Sequence, residues 1–117
     1  MLNQTVIVGR LVSKPETKEL EEGKKVANLT LAVPRSYKNE NGEYDTDFID
    51  CTLWNGIAES TAEYCNKGDL IGVKGRLESK EREIEGKKIK VTNLIAEKVT
   101  FLTSKQKETE KSNEMEV

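Results

Sequence analysis

Tyr37, Phe48 and Trp54 stand among basic side chains in a sequence that is otherwise poor in rings, with aromatic residues at 5%. Flat rings give bases a π face to stack on, and lysine and arginine neutralise phosphate, so the combination is the chemistry of holding a single-stranded nucleic acid. The cations that would serve are Arg10, Arg35, Lys38, Lys74, Arg76, Lys80, Arg82 and Lys88. Four of them, Lys74, Arg76, Lys80 and Arg82, are even-numbered, so on a regular strand they point to one side. Two features oppose this reading. Glu78, Glu81, Glu83 and Glu85 are interspersed with those cations, as on an ordinary solvated hairpin. The totals of 19 Lys+Arg and 21 Asp+Glu also leave a net charge of −2, without the basic excess common in nucleic-acid binders. Phe48 and Trp54 have a competing role too, packing against a helix or a neighbouring subunit.

Other chemistries are poorly supplied. Histidine is absent, which removes both the commonest general base near neutral pH and the commonest metal ligand. Cys51 and Cys65 have neither the spacing of a zinc site nor that of a dithiol motif, and are expected to be buried reduced thiols. Asp45, Asp47 and Asp50 offer carboxylates to a magnesium ion, the arrangement a nuclease would need, but lone carboxylates near a loop are usually solvated. No catalysis, metal or cofactor is therefore expected. No run of residues approaches the ~18 apolar positions of a membrane helix, and the start lacks a signal-peptide pattern, so the expected location is the cytoplasm.

These side chains need elements to position them. The spacing predicts a first strand over about Asn3 to Val12, bent at Gly9, where a strand can change sheets. A second alternates Ala27, Leu29, Leu31 and Val33 against Val26, Asn28, Thr30 and Ala32, with Pro34 as its end. After a polar loop, Asp47 to Trp54 forms a third, in which Ile49, Cys51 and Leu53 face the core and Phe48, Asp50, Thr52 and Trp54 face outward. A short helix follows over about Gly56 to Asn66, on the spacing of Ala58, Ala62 and Cys65. Asp69 to Arg82 and Lys87 to Leu102 form two long strands joined at Glu85-Gly86, an arm projecting from the body. Ser104 to Val117 has no aromatic, isoleucine or leucine and is expected to be a disordered charged tail. Five antiparallel strands with a helix between the third and fourth give an all-β fold with one short helix, the five-stranded Greek-key OB barrel, with a small β-sandwich as the competitor. The division is a domain over 1–103 and a tail over 104–117.

Met1-Leu2-Asn3, Val8-Gly9-Arg10-Leu11, the run Val26 to Val33, Asp47-Phe48-Ile49, Leu53-Trp54, Ala58-Glu59, Lys67-Gly68 and Val73-Lys74-Gly75-Arg76-Leu77 occur in an order and spacing that resemble the bacterial single-stranded DNA-binding protein family over about residues 1 to 103. The resemblance implies a homotetramer of OB-folds that coats single-stranded DNA without sequence preference in replication, recombination and repair, and catalyses nothing. It implies stacking by Tyr37, Phe48 and Trp54. Arg82 stands where the family carries a further stacking aromatic, a departure that replaces an indole with a flat cation of smaller area. The end Asn113-Glu114-Met115-Glu116-Val117 departs again, lacking the terminal Pro-Phe by which family tails recruit replication and repair proteins, and the short tail fits a plasmid- or phage-borne member or a secondary paralogue. The alternative is an OB-fold assembly subunit of a replication-restart complex, with nucleic-acid binding secondary.

Overall fold

The computed structural model describes residues 1–102, so the tail expected over 104–117 lies outside the described residues. The strands are β1 (Thr5–Leu11), β2 (Thr17–Glu19), β3 (Lys25–Lys38), β4 (Tyr44–Trp54), β5 (Leu70–Ile84) and β6 (Lys87–Phe101), with α1 (Asn55–Tyr64) between β4 and β5. They hydrogen-bond in the order β1-β5-β6-β4-β3-β2, and a β1–β3 pairing closes the five long strands into the OB barrel. The short β2 adds an edge to β3.

Closure depends on β1 serving two partners. Thr5 to Arg10 pair with β5, and Arg10 and Leu11 also pair with Ala32 and Leu31 of β3. At the bend a Cβ on Gly9 would lie 2.9 Å from the Ala32 carbonyl oxygen and 2.9 Å from Val33 Cγ2, so only glycine lets the two backbones meet. A second close approach occurs at Gly75, where a Cβ would stand 1.9 Å from the Ile95 carbonyl oxygen. The β5–β6 register shifts at the same place, from Lys74↔Lys98 to Gly75↔Ala96, which leaves Glu97 as the extra residue of a bulge.

Two expectations need correction. The strands are not all antiparallel: β4 and β6 run parallel, through Cys51↔Leu94 and Thr52↔Ile95, because the β5–β6 hairpin returns along β4 in its own direction. Nor does Pro34 end the second strand. It pairs with Thr46 and β3 continues to Lys38, which proline's missing N–H permits because β3 has left its β1 partner by then.

Inside, Leu29, Leu31, Cys51, Leu53, Ile71, Val73 and Leu94 form the core, Ala58 and Cys65 add the helix side, and Ile49 is partly buried against it. Both cysteines are free and buried. Burial pushes the Cys51 thiol up to about 12 and the Cys65 thiol up to about 11. The helix closes one end of the barrel. Its last carbonyls are capped by Lys14, whose Nζ donates to the Ala62 and Cys65 oxygens at 3.3 and 3.2 Å, favourable at the negative end of a helix. Beyond the body, Ser79 to Lys90 are exposed throughout, and the two-residue turn has positive φ at both Glu85 (51°) and Gly86 (79°), the geometry of a tight hairpin.

Candidate nucleic-acid interface

The outward face of β3 and β4 is set by their register. Val26↔Trp54, Asn28↔Thr52, Thr30↔Asp50 and Ala32↔Phe48 stand side by side, opposite in sense to the core-facing Ala27, Leu29, Leu31, Cys51 and Leu53. Arg10 pairs with Ala32, so Arg10, Ala32 and Phe48 form one cross-strand row. The β5–β6 arm borders the same face: Lys80 and Arg82 join Asn28, Thr30, Asp50, Thr52, Trp54 and Asn93 in lining a groove of about 500 Å³. Phe48 is 65% exposed and Trp54 37%, so within the chain neither ring is consumed by packing on the helix.

Charge is distributed unevenly across the expected cations. Arg35 is engaged: its Nε and Nη2 donate to Asp47 at 3.2 and 2.9 Å, and Asp45 lies 3.7 Å from Nη1. That forked contact, made of two hydrogen bonds and charge, holds the Asp47 carboxyl below the usual range and raises the guanidinium. Arg76 is likewise paired, with Glu78 at 2.5 Å. Arg10 donates to the Gly68 carbonyl at 3.0 Å, and the Lys38 ammonium sits 5.8 Å from the centre of the Tyr44 ring. Among the described residues neither Lys80 nor Arg82 has an acidic partner within 4.0 Å. Those two groove cations therefore keep their full charge for an anion that arrives.

The remaining expected residues fall outside the groove lining. Lys74 lies at the bulge. Lys88 pairs with Glu83, and since Arg82 pairs with Ile89, Lys88 is on the opposite side of the arm from Arg82. Tyr37, 63% exposed, is on the outer part of β3, where the register with β4 is irregular. Asn39 shapes that hairpin, its Oδ1 accepting from the Asn41 and Glu43 amides at 2.9 and 3.0 Å.

Sequence reasoning missed the groove floor. Asn93 Nδ2 donates to Thr52 Oγ1, which donates to Asn28 Oδ1 at 2.9 Å, a hydrogen-bonded row across β6, β4 and β3. Thr52 is on the outward face but buried beneath the groove. The parity of β4 placed Thr52 and Asp50 on this face, but Asn93 reaches it only through the parallel β4–β6 pairing. Tyr44, 57% exposed, is a further ring without a sequence signal. The carboxylates Asp45 and Asp47 are bound to Arg35 while Asp50 is in the groove, and among the described residues no group of three or more His, Cys, Asp or Glu is arranged to hold a metal ion. Nor is any described helix long and apolar enough to cross a membrane.

Comparison with known proteins gives concordant results. The chain is 45% identical over 109 residues to single-stranded DNA-binding protein B of Bacillus subtilis (strain 168), covering 92% of this chain and 96% of the relative. It is 46% identical over 107 residues to single-stranded DNA-binding protein 3 of Listeria innocua, covering 91% and 67%. Its fold is similar to that of a Plasmodium falciparum SSB solved in complex with ssDNA, with a TM-score of 0.79 and 25% identity, over 88% of this chain and 96% of the other. Residues 2–102 match the model of the single-strand binding protein family, and the chain belongs to that family.

Proposed function

We propose that the protein coats and protects single-stranded DNA, without a sequence requirement, during replication, recombination and repair. The observation that carries this reading is the groove in which a half-exposed Trp54 shares its lining with Lys80 and Arg82, cations that have no acidic partner within 4.0 Å among the described residues. Bases would stack on Trp54, Phe48 and Tyr37 while phosphates follow Lys80 and Arg82, with Arg10, Lys38, Lys74 and Lys88 as outlying attractors. Arg35 and Arg76 contribute less, because carboxylates already neutralise them. The unit responsible is the barrel over 1–103. No reaction is assigned, and the site of action is the cytoplasm.

The assembly in this reading is a homotetramer. Beyond its β3 contact at Arg10 and Leu11, β1 has an edge over Thr5 to Gly9 that is unpaired among the described residues, and Val6 and Val8 are exposed beside it. An open edge with apolar side chains favours a second copy of the same strand. Sedimentation equilibrium should give four chains per particle and a lower state for Val6→Glu.

The test of the function is binding of labelled oligo-dT in competition with duplex DNA. Wild type should prefer the single strand, and Trp54→Ala and Phe48→Ala should each weaken binding by roughly five-fold or more, the value of about 1 to 3 kcal/mol per stacked base. Equal affinity for both forms of DNA, or unchanged binding in both variants, would overturn it.

A further inference from the structure

We propose that Asn3 is a positioning residue for the β5–β6 arm: by pinning Leu77 at the arm's root, it keeps Lys80 and Arg82 over the groove. The inference rests on the single-strand reading above and adds to it the device that holds its two cations in place.

β1 and β5 pair from Arg10↔Leu70 to Thr5↔Gly75, and the same register carried two residues further puts Asn3 opposite Leu77. Among the described residues the main-chain ladder stops at Thr5, and the Asn3 side chain takes its place. Asn3 Nδ2 donates to the Leu77 carbonyl at 2.8 Å, and Asn3 Oδ1 accepts from the Leu77 amide at 2.9 Å. A carboxamide holds a donor and an acceptor in one plane, so it satisfies both backbone groups of a strand residue at once, as a further residue of the ladder would.

Leu77 is where the arm leaves the body. It pairs with Leu94, which pairs in turn with Cys51 of β4, so Asn3 closes the outer end of a row that begins in the core. Leu94 and Cys51 are buried, Leu77 is 41% exposed, and from Ser79 outward both strands of the arm are exposed. On the β6 side the root is tied down by β4 and by the Asn93–Thr52 hydrogen bond. On the β5 side, past Gly75, it is tied down by Asn3. The bulge at Glu97 lies just inside this point and bends the ribbon, so the tilt of the outgoing strand needs a second fixed point. Lys80 and Arg82 stand about 10 and 17 Å along the strand beyond Leu77. A tilt of about 10° at the root then carries Arg82 by about 3 Å, the length of a hydrogen bond. An arm held at Leu77 presents both cations to a strand in the groove without first having to be ordered.

The test is a double-mutant cycle on oligo-dT affinity at fixed salt. Asn3→Ala should weaken binding about five-fold in the otherwise wild-type protein, and by less than about two-fold when Lys80 and Arg82 are both glutamine, because the clamp acts through those two side chains. Asn3→Asp, which can accept from the Leu77 amide but not donate to its carbonyl, should follow the same pattern. Asn3 is exposed, so neither substitution opens the core. In hydrogen exchange the Leu77 amide should exchange about five-fold faster in Asn3→Ala, the value of one hydrogen bond, while the Ile71 and Val73 amides of the barrel are unchanged. An equal loss of affinity in both backgrounds, no loss in either, or an unaltered Leu77 amide would overturn the proposal and leave the single-strand reading intact. Wild type that does not bind oligo-dT would overturn both.

Discussion

Replacing Lys80 and Arg82 together by glutamine should flatten the salt dependence of single-strand binding by a calculable amount. Each cation that neutralises a phosphate releases condensed counterions, contributing about 0.7 to the slope of log affinity against log salt for a single strand. Lys80 and Arg82 have no acidic partner within 4.0 Å among the described residues, so each can contribute in full. Losing both removes about 1.4 from the slope, and the affinity lost between ~50 and ~200 mM salt then shrinks by a factor of about seven. Arg35→Gln is the matched control. Its guanidinium is already neutralised by Asp47 at 2.9 Å, so it should change the slope by well under ~0.7. Anisotropy of labelled oligo-dT across a salt series reads both. An unchanged slope in the folded double variant, or an equally large change from Arg35→Gln, would refute the assignment of free and occupied cations.

Gly75→Ala should be among the most damaging substitutions in the barrel, since its Cβ would meet the Ile95 carbonyl oxygen at 1.9 Å, whereas a Cβ on Gly72 finds its nearest neighbour at 3.7 Å. A cost of about 3 kcal/mol corresponds to a Tm lower by roughly 10 to 20 °C, against a small change for Gly72→Ala, both read by thermal melts. Asp47 should titrate below the ordinary carboxylate value of about 3.9 by NMR and return toward it in Arg35→Gln. Because its folded value is the lower one, the stability it contributes is complete above the unfolded value and lost as pH falls through the folded value. The difference in Tm between wild type and Asp47→Asn should therefore shrink in acid. Cys51 and Cys65, buried with thiols pushed up to about 12 and about 11, should resist a thiol reagent at pH 8 until the protein is unfolded, and prompt labelling of either would contradict their burial.

The barrel was legible where alternation was regular and where turns had their own chemistry. Ala27 to Leu31 and Cys51 to Leu53 faced the core as parity required, and Glu85-Gly86 formed the hairpin turn expected of it. Gly9 marked the bend of β1. What alternation could not give was anything dependent on the pairing of distant strands. The parallel β4–β6 contact, the β6 bulge at Glu97 and the passage of β3 through Pro34 all depend on which strand lies alongside. The same limit applied to the site. Phe48 and Trp54 followed from parity on one strand, but the sorting of cations into free and paired did not. Arg35 and Arg82 look alike in sequence, and only the fold shows that the first lies on Asp47 while the second, among the described residues, has no acidic partner within 4.0 Å.

The most direct test of stacking with phosphate neutralisation uses Trp54, the single tryptophan of the chain, which lines the groove. Titrating its intrinsic fluorescence with oligo-dT at low and moderate salt should give strong quenching that weakens as salt rises, because a base covers the indole while counterions compete for Lys80 and Arg82. A gel shift on the same oligomer without any change in Trp54 emission would contradict the account and put the DNA path elsewhere on the barrel.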